Sequence, residues 1–344
     1  MRNNNNIGFI SVGQAGGNIG RFFEKSGFKV LYINSSTEDL KTLEGASFTY
    51  HITNGEGANK NRDKAKQLVI DDYDNIASQI DSVFTDCSLI YVIFASGGGT
   101  GSGAGPMLID IMLNSIDKSV GSIVILPDKN ESVKAMMNSY ECLKELTNIS
   151  NMSSCFILDN SRMDKFMINE IFVDRFVDFV SIPDNYASSE GNIDYSEIME
   201  SLKCHGAAQL FSYSGETDDV AYVINHFKED IYPEAPKNPK YMAVVAGDSF
   251  DIDKLYTVSG HPYDVYRAYN DDALIILMSG MSFPLERFEE IYNIVNDKKD
   301  IVINANADKS VDFKTFDFLD EHVKKAAPEK ELSRNDVLRK YFNK

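Results

Sequence analysis

Five of the seven residues 97–103 are glycine, and this run constrains the fold more than any other feature of the chain. Glycine accepts positive φ and has no side chain, so several backbone N–H groups can converge on one anion. The apolar stretch 89–95 before the run predicts a buried parallel strand, and residues 106–113 after it have helical spacing. A strand, a glycine loop and a helix N-terminus predict a phosphate site. The loop has no lysine, which excludes the Gly-x-x-x-x-Gly-Lys-Ser/Thr loop and leaves the charge to amides, a hydroxyl and Mg²⁺.

Length and composition set the broad class of the protein. With 344 residues and 43% hydrophobic side chains, the chain can bury one large core or two medium ones. No apolar run approaches 18 residues and the start lacks an apolar signal, which predicts a cytoplasmic protein without a spanning helix. The four cysteines lie far apart without a Cys-x-x-Cys pair, so we expect buried thiols and no metal site; they are Cys87, Cys142, Cys155 and Cys204.

The chain is strongly acidic, with 34 Lys and Arg against 52 Asp and Glu and a net charge of −18. Such a surface repels DNA phosphates and acidic lipids, so we expect no direct DNA or membrane binding. A link to DNA would then pass through another protein. Residues 323–344 differ, with seven Lys or Arg against three Asp or Glu. This tail is either a contact arm or a solvated helix end.

The N-terminal region has a strand over 7–12, a glycine-rich turn over 13–20, a helix beginning at Arg21 and a second strand over 28–33. The same order opens dinucleotide-binding folds. An NAD site, however, favours Asp or Glu about 20 residues beyond the first glycine. Here the second strand ends in Asn34-Ser35-Ser36. An NAD-dependent dehydrogenase is therefore the more distant alternative.

These segments, in this order, resemble the nucleotide loops of the tubulin and FtsZ superfamily of GTP-dependent filament proteins. The signature loop is 97–103, the turn 13–20 resembles the first loop, and 54–60 resembles the third, which senses the γ-phosphate in that family. Glu131 matches the sugar-contacting loop, although Ala135 stands where FtsZ commonly has arginine, with Lys134 beside it. The resemblance implies that GTP or GDP, with Mg²⁺ held mainly by the phosphates, is bound by Gly13, Gln14, Ala15, Gly16, Asn18, Asn34, Gly57, Ala58, Asn59, Gly97, Gly98, Gly99, Thr100, Gly101, Ser102, Glu131, Asn160 and Asn169.

Asn160 and Asn169 are the expected guanine contacts. Asn160 follows the strand 156–158 in an Asp-Asn pair, the reverse of the family's order. Asn169 begins the helix 166–182, whose narrow polar stripe predicts a mostly buried central helix, with Phe166 among its apolar residues.

Residues 191–198 resemble the family's seventh loop, Asn-x-Asp-x-x-Asp, with Asp194 matching and Glu197 in the last position. We expect both acids to begin a helix over 198–211, where carboxylates also cap and complement the helix dipole. They follow the central helix, on the side away from the glycine loops. The resemblance implies that they serve the GTP of the next subunit in a head-to-tail filament, orienting or deprotonating the attacking water.

We predict an α/β protein with a Rossmann-like GTP-binding domain and parallel sheet over 1–165, and a long central helix and loop over 166–190. A smaller second α/β domain follows over 191–310, with strands at 241–247, 273–279 and 301–305 and a helix over 284–295, and then a C-terminal helical tail over 311–344. Within the superfamily, the chain is most like the TubZ-type plasmid and phage partitioning tubulins, which move DNA through a DNA-binding adaptor. Phage-spindle tubulins and divergent FtsZ are the alternatives, and a non-hydrolysing polymer is another.

Overall fold

The computed structural model of the protein describes residues 6–186, 191–214, 220–227 and 229–300. Two predicted features, the strand 301–305 and the basic tail, lie outside these residues. So does most of the loop before Gly191.

The described residues form ten strands and twelve helices. The strands are β1 (Ile7–Val12), β2 (Lys29–Asn34), β3 (Phe48–His51), β4 (Leu89–Ala95), β5 (Ser119–Leu126), β6 (Ser154–Asp159), β7 (Gly206–Ser214), β8 (Tyr241–Ala246), β9 (Asp264–Tyr269) and β10 (Ala273–Met281). The helices are α1 (Gly13–Lys25), α2 (Thr37–Lys41), α3 (Arg62–Asp71), α4 (Tyr73–Val83), α5 (Thr100–Ser115), α6 (Val133–Leu146), α7 (Lys165–Val180), α8 (Ile182–Asn185), α9 (Tyr195–Lys203), α10 (Val220–Phe227), α11 (Ile252–Ser259) and α12 (Leu285–Asp297).

All ten strands belong to one sheet, in the order β3-β2-β1-β4-β5-β6-β7-β10-β8-β9. From β3 to β7 every pair is parallel, with Gly8 opposite Ile90 and Tyr91 opposite Gly121 in the centre. β10 runs antiparallel to both β7 and β8, while β8 and β9 are parallel. The predicted α/β class with a parallel sheet is confirmed.

Helices cover both faces of the parallel part, as a doubly wound sheet requires. On one face, α1, α7 and α9 pack on the sheet around a group of phenylalanines that includes Phe9, Phe23 and Phe176. The rings of Phe9 and Phe23 stack with centroids 3.8 Å apart, and Phe176 meets both edge-on. The other face is covered by α3, α4, α5, α6 and α12. Because both faces are buried, the central strands read as continuous apolar runs.

The strands at 7–12 and 89–95 begin and end where the sequence predicts. The two glycine segments differ from the prediction, because helices begin inside them. α1 starts directly at Gly13, with φ of 72°, and not at Arg21. α5 starts at Thr100, well before residue 106, and carries Pro106 within it. Only residues 97–99 of the signature segment thus remain as loop, together with residue 96 before them. The other glycines of the segment lie inside α5 and allow close helix packing.

The predicted helix over 198–211 is wrong. α9 spans Tyr195–Lys203, and the chain then enters β7 at Gly206, where φ is 122°. Alternate residues of β7 enter different cores, with Leu210 on the α7 face and Phe211 on the opposite one. A strand buried on both faces has no polar alternation, so the sequence does not distinguish it from a continuing helix.

The predicted central helix is present as α7, but only seven of its 16 residues are buried, and its C-terminal end is followed by the short α8. Phe166, however, is 58% exposed in the first turn, so its predicted burial is wrong. This turn extends beyond the strands, whereas Phe172, Phe176 and Phe179 pack beneath them.

Candidate functional site

The predicted phosphate segments gather at the carboxyl ends of the parallel strands, which we call the nucleotide edge. β1 leads into Gly13, β2 into Ser35, β4 into the loop 96–99 and β6 into Asn160. Carboxyl ends of parallel strands share one edge of a sheet, where ligands bind in such folds. The structure thus brings together segments that are more than 140 residues apart in sequence.

Glycines allow the first turns of α1 and α5 to approach each other at this edge. A Cβ on Gly13 would lie 3.3 Å from the amide nitrogen of Gly101, and its φ of 72° is itself unfavourable for other residues. A Cβ on Gly16 would lie 2.5 Å from the carbonyl oxygen of Ile93. At Gly98, in contrast, the nearest atom, the Ala95 oxygen, would be 3.8 Å away. Backbone positions in the protein therefore require glycine at 13 and 16, whereas Gly98 borders space that the protein leaves free.

Side-chain hydroxyl groups fix the start of α5. The hydroxyl of Ser102 is buried and donates to the carbonyl oxygen of Gly98 at 2.6 Å. Thr100 Oγ1 lies 2.8 Å from Ser35 Oγ, which joins the end of β2 to the signature segment. The predicted ligand Ser102 thus orders the loop with its side chain. Its contribution toward a phosphate would come from the backbone N–H.

Residues 54–60 form a tight loop beside the glycine loop. Asn54, Asn59 and Lys60 have φ of 60°, 47° and 55°, the left-handed conformation that non-glycine residues rarely adopt. Gly57, with φ of 77°, donates its N–H to the Ser35 oxygen at 2.7 Å. Ala58 is buried. A Cβ on Gly99 would lie 2.7 Å from the amide nitrogen of Lys60, so the two loops are in contact.

The remaining predicted nucleotide residues occupy the rim of the same edge. Gln14 is exposed on α1, with Ala15 and Asn18 half-buried. The Asn34 side chain donates to Asp39 at 3.1 Å and accepts from the Ser36 N–H at 3.1 Å.

Glu131 accepts a hydrogen bond from the N–H of Asp128 at 3.3 Å and so shapes the loop after β5. Asn169 is buried in the second turn of α7, only 7% exposed. The Oδ1 atom of Asn160 is buried and has no hydrogen-bond partner among the residues that the structure describes. An unpaired buried acceptor is costly and rare in folded proteins, so a donor on a ligand is the simplest partner for it. The edge of guanine offers N–H donors of this kind.

Arg287, on α12, stabilises this edge and was not predicted as a site residue. Its guanidinium is only 4% exposed and donates to Asp159 Oδ2 at 2.9 Å and to the Pro127 oxygen at 2.8 Å. Asp159 and Pro127 end or follow β6 and β5, so α12 fixes two nucleotide-edge loops. Arg287 is 128 residues from Asp159 in sequence, and no local pattern indicates such a pair.

Asp194 and Glu197 lie at the other end of the strands, which we call the acid edge. The adjacent Tyr195 hydroxyl accepts a hydrogen bond from Asn6, the residue before β1. The amino ends of the strands are therefore next to the start of α9. A strand of six residues spans about 20 Å. Within one chain, the acids and the glycine loops are therefore at opposite ends of the strands.

The two acids form a capping box at the start of α9. Asp194 Oδ1 accepts from the N–H groups of Ser196 at 2.7 Å and Glu197 at 3.0 Å, while Glu197 Oε2 accepts from the Asp194 N–H at 2.8 Å. Hydrogen bonds from the Glu197 N–H and from Ser196 hold the pKa of Asp194 below its usual value. Each carboxylate keeps a second oxygen that can accept from another donor. The capping role expected from the residue types is present, and it leaves the acids solvent-accessible.

The described part of the chain contains neither a cluster of metal ligands nor an exposed cysteine thiol. No group of three or more His, Cys, Asp or Glu there could hold a metal ion. All four cysteines are buried and free, as predicted, and burial raises the pKa values of Cys142 and Cys155 to about 12. Among the helices in described residues, none is long and apolar enough to span a bilayer.

Comparisons with known proteins agree with this geometry. Residues 6–167 match the GTPase domain of the tubulin/FtsZ family. The chain is 28% identical over 302 residues to the tubulin-like protein TubZ of a Clostridium botulinum C phage, covering 86% of this chain and 84% of the relative.

Two solved structures extend the similarity to the fold. The crystal structure of TubZ from Clostridium botulinum phage c-st has a TM-score of 0.78 at 25% identity, covering 86% of this chain and 98% of that one. A protofilament of Bacillus thuringiensis serovar israelensis TubZ in a GTPγS form has a TM-score of 0.71 at 15% identity, covering 89% and 94%. Together with the geometry of the nucleotide edge, these matches establish that residues 6–167 are a tubulin/FtsZ-family GTPase domain, in a chain whose fold matches that of the TubZ crystal structure over 86% of its length.

Proposed function

We propose that this protein is a self-assembling GTPase whose head-to-tail filament hydrolyses GTP at the contact between subunits. The observation that carries the proposal is the separation of the two edges. The glycine loops lie at the carboxyl ends of the strands, and Asp194 and Glu197 lie at the amino ends, about 20 Å away. A subunit stacked on the next one brings the two edges together, and a head-to-tail contact that does not close forms an open filament.

The nucleotide is bound by the residues of the nucleotide edge. Amides of residues 97–101 and the helix N-termini at Gly13 and Thr100 receive the phosphates. Asn160 and Asn169 receive the guanine edge, and the unpaired Asn160 Oδ1 supports this assignment. Mg²⁺, held mainly by the phosphates, would neutralise charge that builds up on them. Thr100, at the start of α5, could contribute its hydroxyl oxygen to that ion's coordination.

Asp194 and Glu197 act on the GTP of the neighbouring subunit. Asp194 is ionised at neutral pH, since its hydrogen bonds lower its pKa. Its free oxygen, and that of Glu197, can accept hydrogen bonds from a water and orient it toward the γ-phosphorus. General-base assistance of this kind contributes about 10²-fold to 10⁴-fold. Because the capping box holds both carboxylates rigid, the water is positioned without ordering a loop first.

Assembly and turnover are tested together by sedimentation and phosphate release. The purified protein should pellet with GTP and not with GDP, and phosphate should appear only above the concentration at which filaments form. Competition with ATP should leave guanine nucleotide bound. Equal affinity for ATP contradicts the base assignment, and pelleting without phosphate release identifies a non-hydrolysing polymer.

Subunit complementation tests the shared site directly. We mix a Gly98→Val variant, which loses the phosphate site, with a Glu197→Gln variant, which loses the acid. Each is inactive alone, and a mixed filament contains contacts with one intact half from each chain. Partial recovery of hydrolysis is expected. No recovery in filaments shown to contain both variants contradicts the intersubunit site.

We further propose that the filament moves plasmid or phage DNA in the cytoplasm through a DNA-binding adaptor. The net charge of −18 disfavours direct DNA contact, and the similarity to TubZ of a Clostridium botulinum phage supports the TubZ-type assignment. A phage-spindle role and a cell-division role are the alternatives. Cosedimentation of the filament with plasmid DNA should require a second protein. Tight binding of bare DNA at physiological salt contradicts the adaptor. The dehydrogenase alternative has no support, since β2 ends in Asn34 and not in an acidic residue.

A further inference from the structure

α6 contacts both phosphate loops, the glycine loop 96–99 and the loop 54–60. A Cβ on Gly97 would lie 3.2 Å from the Ala135 oxygen on α6. Lys134, on the same helix, donates from Nζ to the Asn59 oxygen at 3.2 Å. Ser132, its N-cap, accepts from Lys60 Nζ at 3.3 Å. One helix thus holds two loops that are about 40 residues apart in sequence.

Asn138 makes the most buried of these contacts. Its side chain is 8% exposed, and its Nδ2 donates to the Gly98 oxygen at 2.8 Å and to the Lys60 oxygen at 3.1 Å. A carboxamide nitrogen has two hydrogens, so each loop receives one. The Gly97 oxygen, at 3.4 Å, is a weaker third contact. A single side chain therefore bonds the glycine loop and the loop 54–60 at the same atom.

These bonds orient peptide planes at the phosphate site. In a trans peptide, the C=O and the following N–H point in opposite directions. Asn138 holds the Gly98 carbonyl, which Ser102 also contacts, so the N–H of Gly99 points away from α6. Asn138 also holds the carbonyl group of the peptide between Lys60 and Asn61. The N–H of that peptide donates to the Ala58 oxygen at 2.7 Å. The orientation of both loops depends on one amide.

The loop 54–60 needs such support because its backbone is strained. Asn59 and Lys60 are consecutive left-handed residues, a conformation that is unfavourable for residues other than glycine. Strained backbone persists only where surrounding contacts fix it, and it is concentrated at switch and ligand sites. Contacts from α6 reach both residues. A ligand group that changes this loop therefore also changes the bonds to Asn138.

We propose that Asn138 is a positioning residue that couples the loop 54–60 to the glycine loop, and so makes the protein bind GTP more tightly than GDP. This inference rests on the proposed function and adds that the loop 54–60, which contacts the glycine loop, faces the γ-phosphate. With GTP bound, the γ-phosphate orders the loop 54–60, and Asn138 transmits that order to the amides of 97–99. With GDP bound, the loop lacks this contact, and the hydrogen bonds of Asn138 do not increase the affinity for the nucleotide.

The test compares affinities for GTPγS and GDP by competition against a fluorescent guanine nucleotide, at protein concentrations below assembly. Asn138→Leu keeps the side-chain volume and removes both donors. We expect its preference for GTPγS over GDP to fall about tenfold, the value of one or two neutral hydrogen bonds, while its GDP affinity changes less than threefold. Asn148→Leu is the matched control, since that asparagine bonds only locally to the Lys144 oxygen at the end of α6.

Equal losses for both nucleotides, or an unchanged ratio, overturn the coupling. Should Asn138→Leu fail to fold, Asn138→Ser keeps one donor and is expected to lose part of the preference. Amide hydrogen exchange gives a second readout: GTPγS should protect residues 57–60 and 97–99 together in the wild type, and only one of these segments in the variant. A wild-type protein that binds neither guanine nucleotide refutes the proposed function itself. Normal binding with unaltered coupling in the variants refutes only the role of Asn138.

Discussion

The two edges of the sheet differ in whether backbone or side-chain atoms form the site. The nucleotide edge depends on backbone: Gly13, Gly16 and Gly99 stand where a Cβ would meet main-chain atoms of another segment. The acid edge depends on two side chains at the start of one helix, Asp194 and Glu197. A site made of backbone tolerates almost no substitution at its glycines. A site made of side chains can be changed chemically while its geometry stays, and this makes the two edges separable by experiment.

The largest effect is expected from Glu197→Gln at the acid edge. Glutamine can still accept the Asp194 N–H and complete the capping box, so the fold and GTP binding should be unchanged. Hydrolysis in filaments should fall about 10²-fold to 10⁴-fold because the carboxylate is lost. Phosphate release per pelleted subunit is the measurement. Glu200→Gln, on the same helix, is the control. Full activity in the Glu197 variant would limit Glu197 to its role in the helix cap.

Arg287→Ala tests a part of the nucleotide edge that relies on a long-range charge pair. Removing the guanidinium leaves the fully buried Asp159 uncompensated, which costs about 3–5 kcal/mol of unfolding free energy. Urea denaturation with GDP absent measures this cost. Lys237→Ala is the control. It breaks an exposed ion pair, at 2.9 Å, with Glu286, which lies on α12 like Arg287, and it should lower the unfolding free energy by less than about 1 kcal/mol. Similar losses in both variants would contradict the importance of the buried pair.

Gly98→Val separates space needed by a ligand from space needed by the protein. The structure has room for a Cβ at this position, so the melting temperature of the nucleotide-free protein should change little. GTP affinity should fall at least about 100-fold, since the side chain enters the phosphate site and overpacking costs roughly 1–3 kcal/mol or more. Gly99→Ala, in contrast, would place its Cβ 2.7 Å from Lys60 N and should lower stability even without nucleotide. Wild-type GTP affinity in Gly98→Val argues against a phosphate site at this loop.

The smallest effect concerns Asp194 and pH. At pH 7, Asp194→Ala should lose about 1 kcal/mol of stability as an N-cap, whereas asparagine, an equally good cap, should lose little. The folded-state pKa of Asp194 is below its unfolded value, so its charge stabilises the fold above about pH 4 and this contribution is lost as pH falls through the folded pKa. The stability gap between wild type and Asp194→Asn should therefore shrink below pH 4. A gap that grows in acid would contradict the lowered pKa.

The sequence by itself predicted the nucleotide edge, because a backbone position that has no room for a Cβ requires glycine, and glycine is visible in the sequence. The run 97–103, the segment 13–20 and the apolar strands around them were recognisable without coordinates, and the strands at 7–12 and 89–95 have the predicted bounds. Local periodicity failed where burial on both faces removed it, as in β7, which was predicted as helix. It also failed where glycine belongs inside a helix start, at Gly13 and Thr100.

Only the tertiary structure decided which side chains hold that edge together. Arg287 reaches Asp159 across 128 residues, and Asn138 joins Gly98 and Lys60 from a third segment. These residues lie in ordinary amphipathic helices, where an arginine or an asparagine has no local signature. Their roles arise because the sheet order brings the ends of β4, β5 and β6 side by side, so that Arg287 reaches the loops after β5 and β6 and Asn138 reaches the loop after β4. The distance between the acids and the phosphate loops is also a consequence of the direction in which the strands run. That direction cannot be read from any single segment of the sequence.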